Sequence, residues 1–399
     1  MPETWTGEWS TPVFYLAERE RRWGAVRAAM AQQGVDVIVC FPSTNLRDRS
    51  AGSVRYLTQL GENSDEVACV FPREGEVTAW LTRGGVWPAS SWITDVRPSG
   101  RRWGAAVVER LTEMGVSRQT IGIAALRGGT YGHIREPDGE VPHGSLEVVM
   151  TAFPNAEVVD ATDLIGELRY VKSPEEIEVL RKATAVAEEG FKAAVATARP
   201  GVPERHVFGA MMEAELRAGG SAFPMFGWSS GPLGNTYHRV EQPSFRIFEA
   251  GDVFTVEIEG RWAGYISQID STIAIGHAHP DLRDGHALAV ECFWRAMDAC
   301  KPGNTIGDLV RAGRVSGMNG RGEARLIFHG RGAGDDGPMV TEGPGSSEIV
   351  LKPGVSFVLK PGTTVDGRMD YGRWGEAMVI TETGAERLGT RGTDLPIVW

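Results

Sequence analysis

The chain has 399 residues, 42% of them apolar, and a formal net charge of −11 at pH 7. Such a chain is globular and long enough for two separately packed cores. The acidic balance excludes nucleic acid and an anionic membrane as expected partners, and no run approaches the roughly 18 apolar residues of a membrane-spanning helix.

The first fifteen residues lack the basic and apolar pattern of a secretory leader, so export is not expected. Leu16, Trp23, Val26 and Met30 fall at helical spacing before Gly34, a natural stop, and residues 35–41 then read as a buried strand. Residues 67–71 and 77–81 form a hairpin across ProArgGluGly. A helix over 105–114 and strands over 120–124 and 157–159 complete a layered α/β domain. Cys40, Cys69, Cys292 and Cys300 show no CxxC spacing and read as reduced, mostly buried thiols of a cytoplasmic protein.

A boundary is expected near residues 169–173, giving domains 1–168 and 169–399. Ser173, Pro174, Glu175 and Glu176 make a capping box with proline at the first helical position, and a long helix follows to about residue 198. That helix ends at Pro200-Gly201 before another helix, and the same order of helix, Pro-Gly turn and helix returns at Pro302-Gly303. The repetition predicts a second domain built of two related halves.

Between the two turns lies the loop FPMFGWSSGPLGNTYH, ending at His238, of the sort that lines a pocket. Its Phe226 and Trp228, and Trp262 further on, either face a substrate's apolar portion or belong to the core. The stretch GDVFTVEIEGRWAGYISQIDSTIAIG, residues 251–276, reads as an antiparallel strand pair. Glu257 and Glu259 share one face of its first strand, and Gln268 and Asp270 share one face of its second. Carboxylates among apolar residues are costly unless paired, solvated or bound to a cation.

These strands, with HGRG from His329, PGVSFVLKPG from Pro353 and a closing strand at Glu376, resemble the pita-bread family of methionine aminopeptidase, aminopeptidase P and creatinase. The resemblance implies an α/β N-terminal domain followed by an α+β pita-bread catalytic domain with a pseudo-twofold internal repeat. Five side chains hold two metal ions in the family's metallopeptidases, and the matching positions here are Glu257, Gln268, His329, Lys360 and Glu376, the last within one residue of register. Gln268 is a neutral, poor ligand, and the Lys360 ammonium has donors only. A metal-free, cofactor-free site follows, with Lys360 standing where cationic charge is expected and pairing with Glu257 or Glu376.

The pattern is similar to metal-free creatinase and ectoine hydrolase. That likeness implies a metal-independent hydrolase cleaving an amide, amidine or guanidino C–N bond in a small carboxylate-bearing metabolite. His238 would be the general acid/base, with Asp270 and Glu376 orienting substrate and water, Lys360 either balancing those carboxylates or stabilising the oxyanion, and His329 hydrogen-bonding or relaying protons. Counting back from ThrGluThrGly puts the family glutamate at Gly375 or Trp374, so Glu376 needs a bulge to reach the site. Arg331 is expected either to anchor a substrate carboxylate or to pair with Asp335 or Asp336. Creatinase-like dimers imply a homodimer in which Arg47, Arg49 or Arg55 of the N-terminal domain serves the neighbouring pocket. A metal-dependent Xaa-Pro-type peptidase or lyase, and a non-catalytic binding module, are the alternatives.

Overall fold

The computed structural model describes residues 14–42, 51–61, 66–82, 92–221, 226–240, 243–340 and 347–399. The chain divides into two units, Met1–Tyr170 with Gly332–Pro338, and Val171–Arg331 with Met339–Trp399.

In the first unit the helix Leu16–Gln33 buries Trp23, Val26 and Met30 and ends at Gly34, whose φ of 71° lies in the left-handed region that glycine enters without strain. Among the described residues, six strands follow: β1 (Val37–Cys40), β2 (Val67–Pro72), β3 (Thr78–Leu81), β4 (Asp95–Pro98), β5 (Thr120–Ile123) and β6 (Glu157–Asp160). They form one sheet in the order β4-β3-β2-β1-β5-β6. The expected hairpin is β2 with β3, and β1 runs antiparallel to β2 but parallel to β5. Segment Gly332–Pro338 is held within this unit by ion pairs Arg135–Asp335 at 2.5 Å and Arg169–Asp336.

The second unit opens as the capping box predicts. Ser173 Oγ accepts from Glu176 N at 3.2 Å, and Glu176 Oε2 accepts from Ser173 N at 2.9 Å. The helix Pro174–Thr197 that follows lies so close to the sheet that a Cβ on Gly260 would come 2.0 Å from Ala183 O. Both Pro-Gly turns place glycine at positive φ, 87° at Gly201 and 89° at Gly303, ahead of helices Glu204–Arg217 and Ile306–Ala312. The same local conformation serves both halves of the unit.

Its strands are β7 (Phe226–Pro232), β8 (Tyr237–Val240), β9 (Asp252–Trp262), β10 (Tyr265–Ile275), β11 (Val315–Gly317), β12 (Gly322–Gly330), β13 (Met339–Val340), β14 (Ser356–Val365), β15 (Trp374–Ile380), β16 (Ala385–Arg387) and β17 (Ile397–Val398). The main path of the sheet runs β11-β12-β14-β15-β10-β9-β7-β8. Thus β10, from the first half, pairs with β15, from the second, and the two halves share one sheet.

Phe226 and Trp228 lie in the core with Phe248 and Phe254, and both are fully buried. The expectation of a pocket role for them is corrected by register. β7 pairs Gly227 with Glu257, so Phe226 and Trp228 take the opposite face of the strand, toward the helices.

Candidate active site

Strand register gathers the polar residues onto one face of the second sheet. On β9 and β10, Glu257 lies opposite Asp270 and Glu259 opposite Gln268. On β12 and β14, Lys360 pairs with Ile327 and Val358 with His329, so alternation turns His329 and Lys360 to the same side. Gly227 gives Glu257 room, since a Cβ there would approach Glu257 Cβ to 3.0 Å.

The centre of this face is the Lys360 ammonium. Its Nζ lies 2.9 Å from Glu257 Oε1, 3.1 Å from His329 Nε2 and 3.3 Å from Gln268 Oε1. His329 Nδ1 faces the Gly330 carbonyl at 3.0 Å. A carbonyl only accepts, so Nδ1 carries the proton and Nε2 is left to accept from Lys360. Three acceptors therefore meet three ammonium donors, while the Gln268 amide donates to Glu257.

Burial opposes the charge on Glu257, but Lys360 and Arg373 together outweigh it and hold the carboxyl well below the usual range. Burial lowers Lys360, and Glu257 partly restores it. Asp270 is different: burial pushes it up to about 6, against the opposing charge of Arg373, whose Nη2 lies 2.7 Å from Asp270 Oδ2. Two carboxylates opposite each other on neighbouring strands are thus driven apart in acidity.

A cleft of about 630 Å³ opens on this face, with Glu257, Lys360 and Arg373 among its charged lining and Leu326, Ile327 and Met369 among its apolar lining. Asp370 also lines it, accepting from Thr236 Oγ1 and, at 3.4 Å, from Ser229 Oγ.

Glu376 does not reach the site. β15 pairs Gly375 with Asp270 and Glu376 with both Ile269 and Leu359, with no bulge between them. Glu376 therefore points to the helix side, where it accepts from Arg387 and lies 3.7 Å from Arg391. Gly375 takes the site-facing position instead, where a Cβ would stand 2.8 Å from Lys360 Cα and 2.4 Å from Leu359 O. Trp374 is buried against Phe293, ring centroids 4.6 Å apart.

Arg331 is buried with its Nη2 3.3 Å from Glu259 Oε2, and Asp335 and Asp336 pair with Arg135 and Arg169. Arg55, in the first unit, donates to the Gly61 and Ala333 carbonyls at 2.8 and 2.5 Å. Arg47 and Arg49 lie outside the described residues, as does the side chain of His238, whose backbone in β8 pairs with Ser229. Sequence reasoning missed Arg373 and Asp370. Counting two residues back from Gly375 along an alternating strand was the available signal for Arg373.

A half-repeated sheet carrying inward polar residues on its central strands defines the scaffold of the pita-bread hydrolases. The chain belongs to the metallopeptidase family M24, which it matches over residues 178–383, more than half its length. It is 31% identical over 232 residues to a Xaa-Pro dipeptidase of Pyrococcus furiosus, covering 57% of this chain and 65% of that protein, less than two thirds of its length. It is 27% identical over 398 residues to an uncharacterized hydrolase/peptidase of Sinorhizobium fredii, covering 94% and 95% of the two chains. Among solved structures, an X-Pro aminopeptidase of Thermotoga maritima superposes with a TM-score of 0.72 at 18% identity, covering 94% of this chain and 99% of that one. A Xaa-Pro dipeptidase of Bacillus anthracis does so with a TM-score of 0.72 at 20% identity, covering 95% and 100%. The pita-bread fold is thereby established, as expected. The expected nearness to creatinase and ectoine hydrolase is not supported, because the Pyrococcus furiosus, Thermotoga maritima and Bacillus anthracis proteins are named as Xaa-Pro dipeptidases or an X-Pro aminopeptidase.

The family implies a pair of metal ions, and the side chains present do not fit one. Of the five positions, Gln268 offers an amide, Lys360 an ammonium and Gly375 nothing, which leaves Glu257 and His329 as metal-binding types. The Lys360 Nζ already lies within hydrogen-bond distance of both. Among the described residues, no group of three or more His, Cys, Asp or Glu side chains could hold a metal ion.

Proposed function

We propose that this protein is an M24 hydrolase that cleaves the amide C–N bond of a small, dipeptide-sized substrate, with the Lys360 ammonium as the fixed positive charge of its site. The observation that carries this reading is the contact of Lys360 Nζ with Glu257, Gln268 and His329, where Lys360 and Glu257 line a cleft. The names of the relatives favour a peptide amide over a guanidino or amidine group.

In this reading Lys360 stabilises negative charge as it develops on the attacked carbonyl oxygen. Asp270 and Arg373 orient the substrate, and His238 is the general acid/base that moves a proton from water to the leaving nitrogen. His329, which accepts from Lys360, holds the ammonium in place rather than relaying protons. The homodimer remains part of the proposal. Four buried free cysteines support a reducing compartment such as the cytoplasm. No helix among the described residues is long and apolar enough to cross a membrane.

A metal-dependent Xaa-Pro dipeptidase is the second reading, favoured by the family and by the named relatives. Hydrolysis of a panel of Xaa-Pro dipeptides, before and after exhaustive chelation and again with added manganese or zinc, separates the two. Turnover that survives chelation and ignores added metal supports the ammonium. Turnover that appears only with metal supports the second reading, and no turnover of any small amide removes both.

A further inference from the structure

We propose that Asp370 selects the ligand by charge, accepting a protonated nitrogen of the ammonium type in the cleft beside Lys360. This role rests on the small-amide reading for the place where the ligand sits, and it decides which ligands enter rather than which bond is cut.

Two carboxylates belong to the cleft lining, and they differ in what neutralises them. Glu257 has the Lys360 ammonium at 2.9 Å. Arg373, the cleft cation that follows Asp370 in the chain, turns instead to Asp270 at 2.7 Å. Among the described residues no cationic side chain lies within ion-pair distance of Asp370. It takes hydroxyl donors: Thr236 Oγ1 and, at 3.4 Å, Ser229 Oγ both donate to Oδ2. Its other oxygen, Oδ1, accepts from no donor among the described residues. A negative charge is thus left uncompensated on the wall of the cleft, where it favours a cationic partner.

The backbone holds that charge in place. Asp370 has a φ of 67°, a left-handed conformation that few residues other than glycine adopt. Its loop joins β14 to β15 and is pinned from both sides, with Tyr371 N donating to Thr363 O at 3.2 Å and Thr363 N donating to Gly372 O at 3.0 Å. The loop also sits directly on the helix Pro280–Ala299, where a Cβ on Gly285 would lie 2.0 Å from Tyr371 O. Strain kept by so close a fit fixes the carboxylate before a ligand arrives.

The two oxygens of Asp370 set the kind of cation. Because two hydroxyls occupy Oδ2, the carboxylate offers the open Oδ1 to a single donor. An ammonium suits that arrangement, whereas a guanidinium fork takes both oxygens of a carboxylate. Ile327 and Met369, 42% and 69% exposed, give the cleft apolar surface for the ligand's body. The fitting class is a small amide that carries an ammonium group on a short aliphatic body.

Calorimetric titration of the full chain with isosteric pairs tests this: glycyl-L-proline against glycolyl-L-proline, where a hydroxyl replaces the ammonium, and guanidinoacetate against ureidoacetate, where a neutral urea replaces the guanidinium. The glycyl compound should bind the wild type about tenfold or more tightly than its glycolyl analogue, and the guanidino pair should differ by less. Asp370→Asn should bring the first pair within about twofold of each other. Asparagine adopts positive φ as aspartate does and keeps an oxygen for Thr236, so this variant should melt within about 3 °C of the wild type. Asp370→Gly, unstrained at that φ, is the second variant and should lose the preference as well. A wild type that binds neither member of the first pair or binds both equally, a larger preference in the guanidino pair, or a preference that survives in D370N and D370G overturns the proposal. Because binding is read without turnover, a preference for the ammonium with no hydrolysis keeps this role and removes the amide reading.

Discussion

Lys360 Nζ, on β14, lies 2.9 Å from Glu257 Oε1, on β9, so residues 103 apart in sequence form the ion pair at the centre of the site. Both side chains are largely withdrawn from water, 5% and 19% exposed. Breaking such a pair from one side leaves the other charge desolvated and alone. Lys360→Met should therefore lower stability by about 3 kcal/mol, at the low end for a buried pair because Glu257 keeps some contact with water. Urea unfolding checks this, and a loss under about 1 kcal/mol would mean the pair is more solvated than its geometry indicates.

The same ammonium should stand between this chain and divalent metal. Replacing it and its neutral neighbour in Q268D/K360E would present Glu257, Asp, His329 and Glu on one face, a donor set suited to manganese or zinc. The double variant should bind at least one equivalent by calorimetry and elemental analysis, where the wild type retains less than about a tenth of an equivalent after dialysis. Stoichiometric metal in the wild type would overturn the assignment of Lys360 as the site's cation.

Asp270 should impose its own dependence on pH. Its folded value, about 6, lies above the ordinary 3.8, so the native state holds this proton more tightly than the unfolded chain does. The associated stability is fully present below about pH 4 and is lost as pH rises to about 6. Asp270→Asn removes the titration. The stability of wild type minus variant should fall by about 3 kcal/mol across that window, and a flat difference would count against the burial that causes the shift.

Glu376, turned to the helix side, belongs to an ionic cluster with Arg387 and Arg391. Burial raises its carboxyl, with Arg387 and Arg391 opposing. Glu376→Gln should cost about 2 kcal/mol of stability while leaving the KM of any substrate within a few-fold. Turnover abolished with stability intact would mean that β15 carries a bulge after all.

Much of the fold was legible because its signals are local. The capping box at Ser173, the two Pro-Gly turns and the β9–β10 pair each depend on residues close in sequence. Part of the site is local in the same sense: Glu257 and Asp270 share a hairpin, and the unsuitability of Gln268 and Lys360 as metal ligands follows from their functional groups alone.

What only the tertiary structure decided was register between distant strands. Side chains alternate with a period of two, so a shift of one residue moves a whole strand's set to the other face. The sequence around Glu376 is compatible with either face. Pairing with β10 and β14, through Ile269 and Leu359 at 107 and 17 positions from Glu376, put Gly375 inward and Glu376 outward and brought Arg373 beside Asp270. Pairing with β9 likewise sent Phe226 and Trp228 into the core. Residue types specify which chemistry is available, whereas the face on which it appears is set by hydrogen-bonded partners that no local pattern encodes.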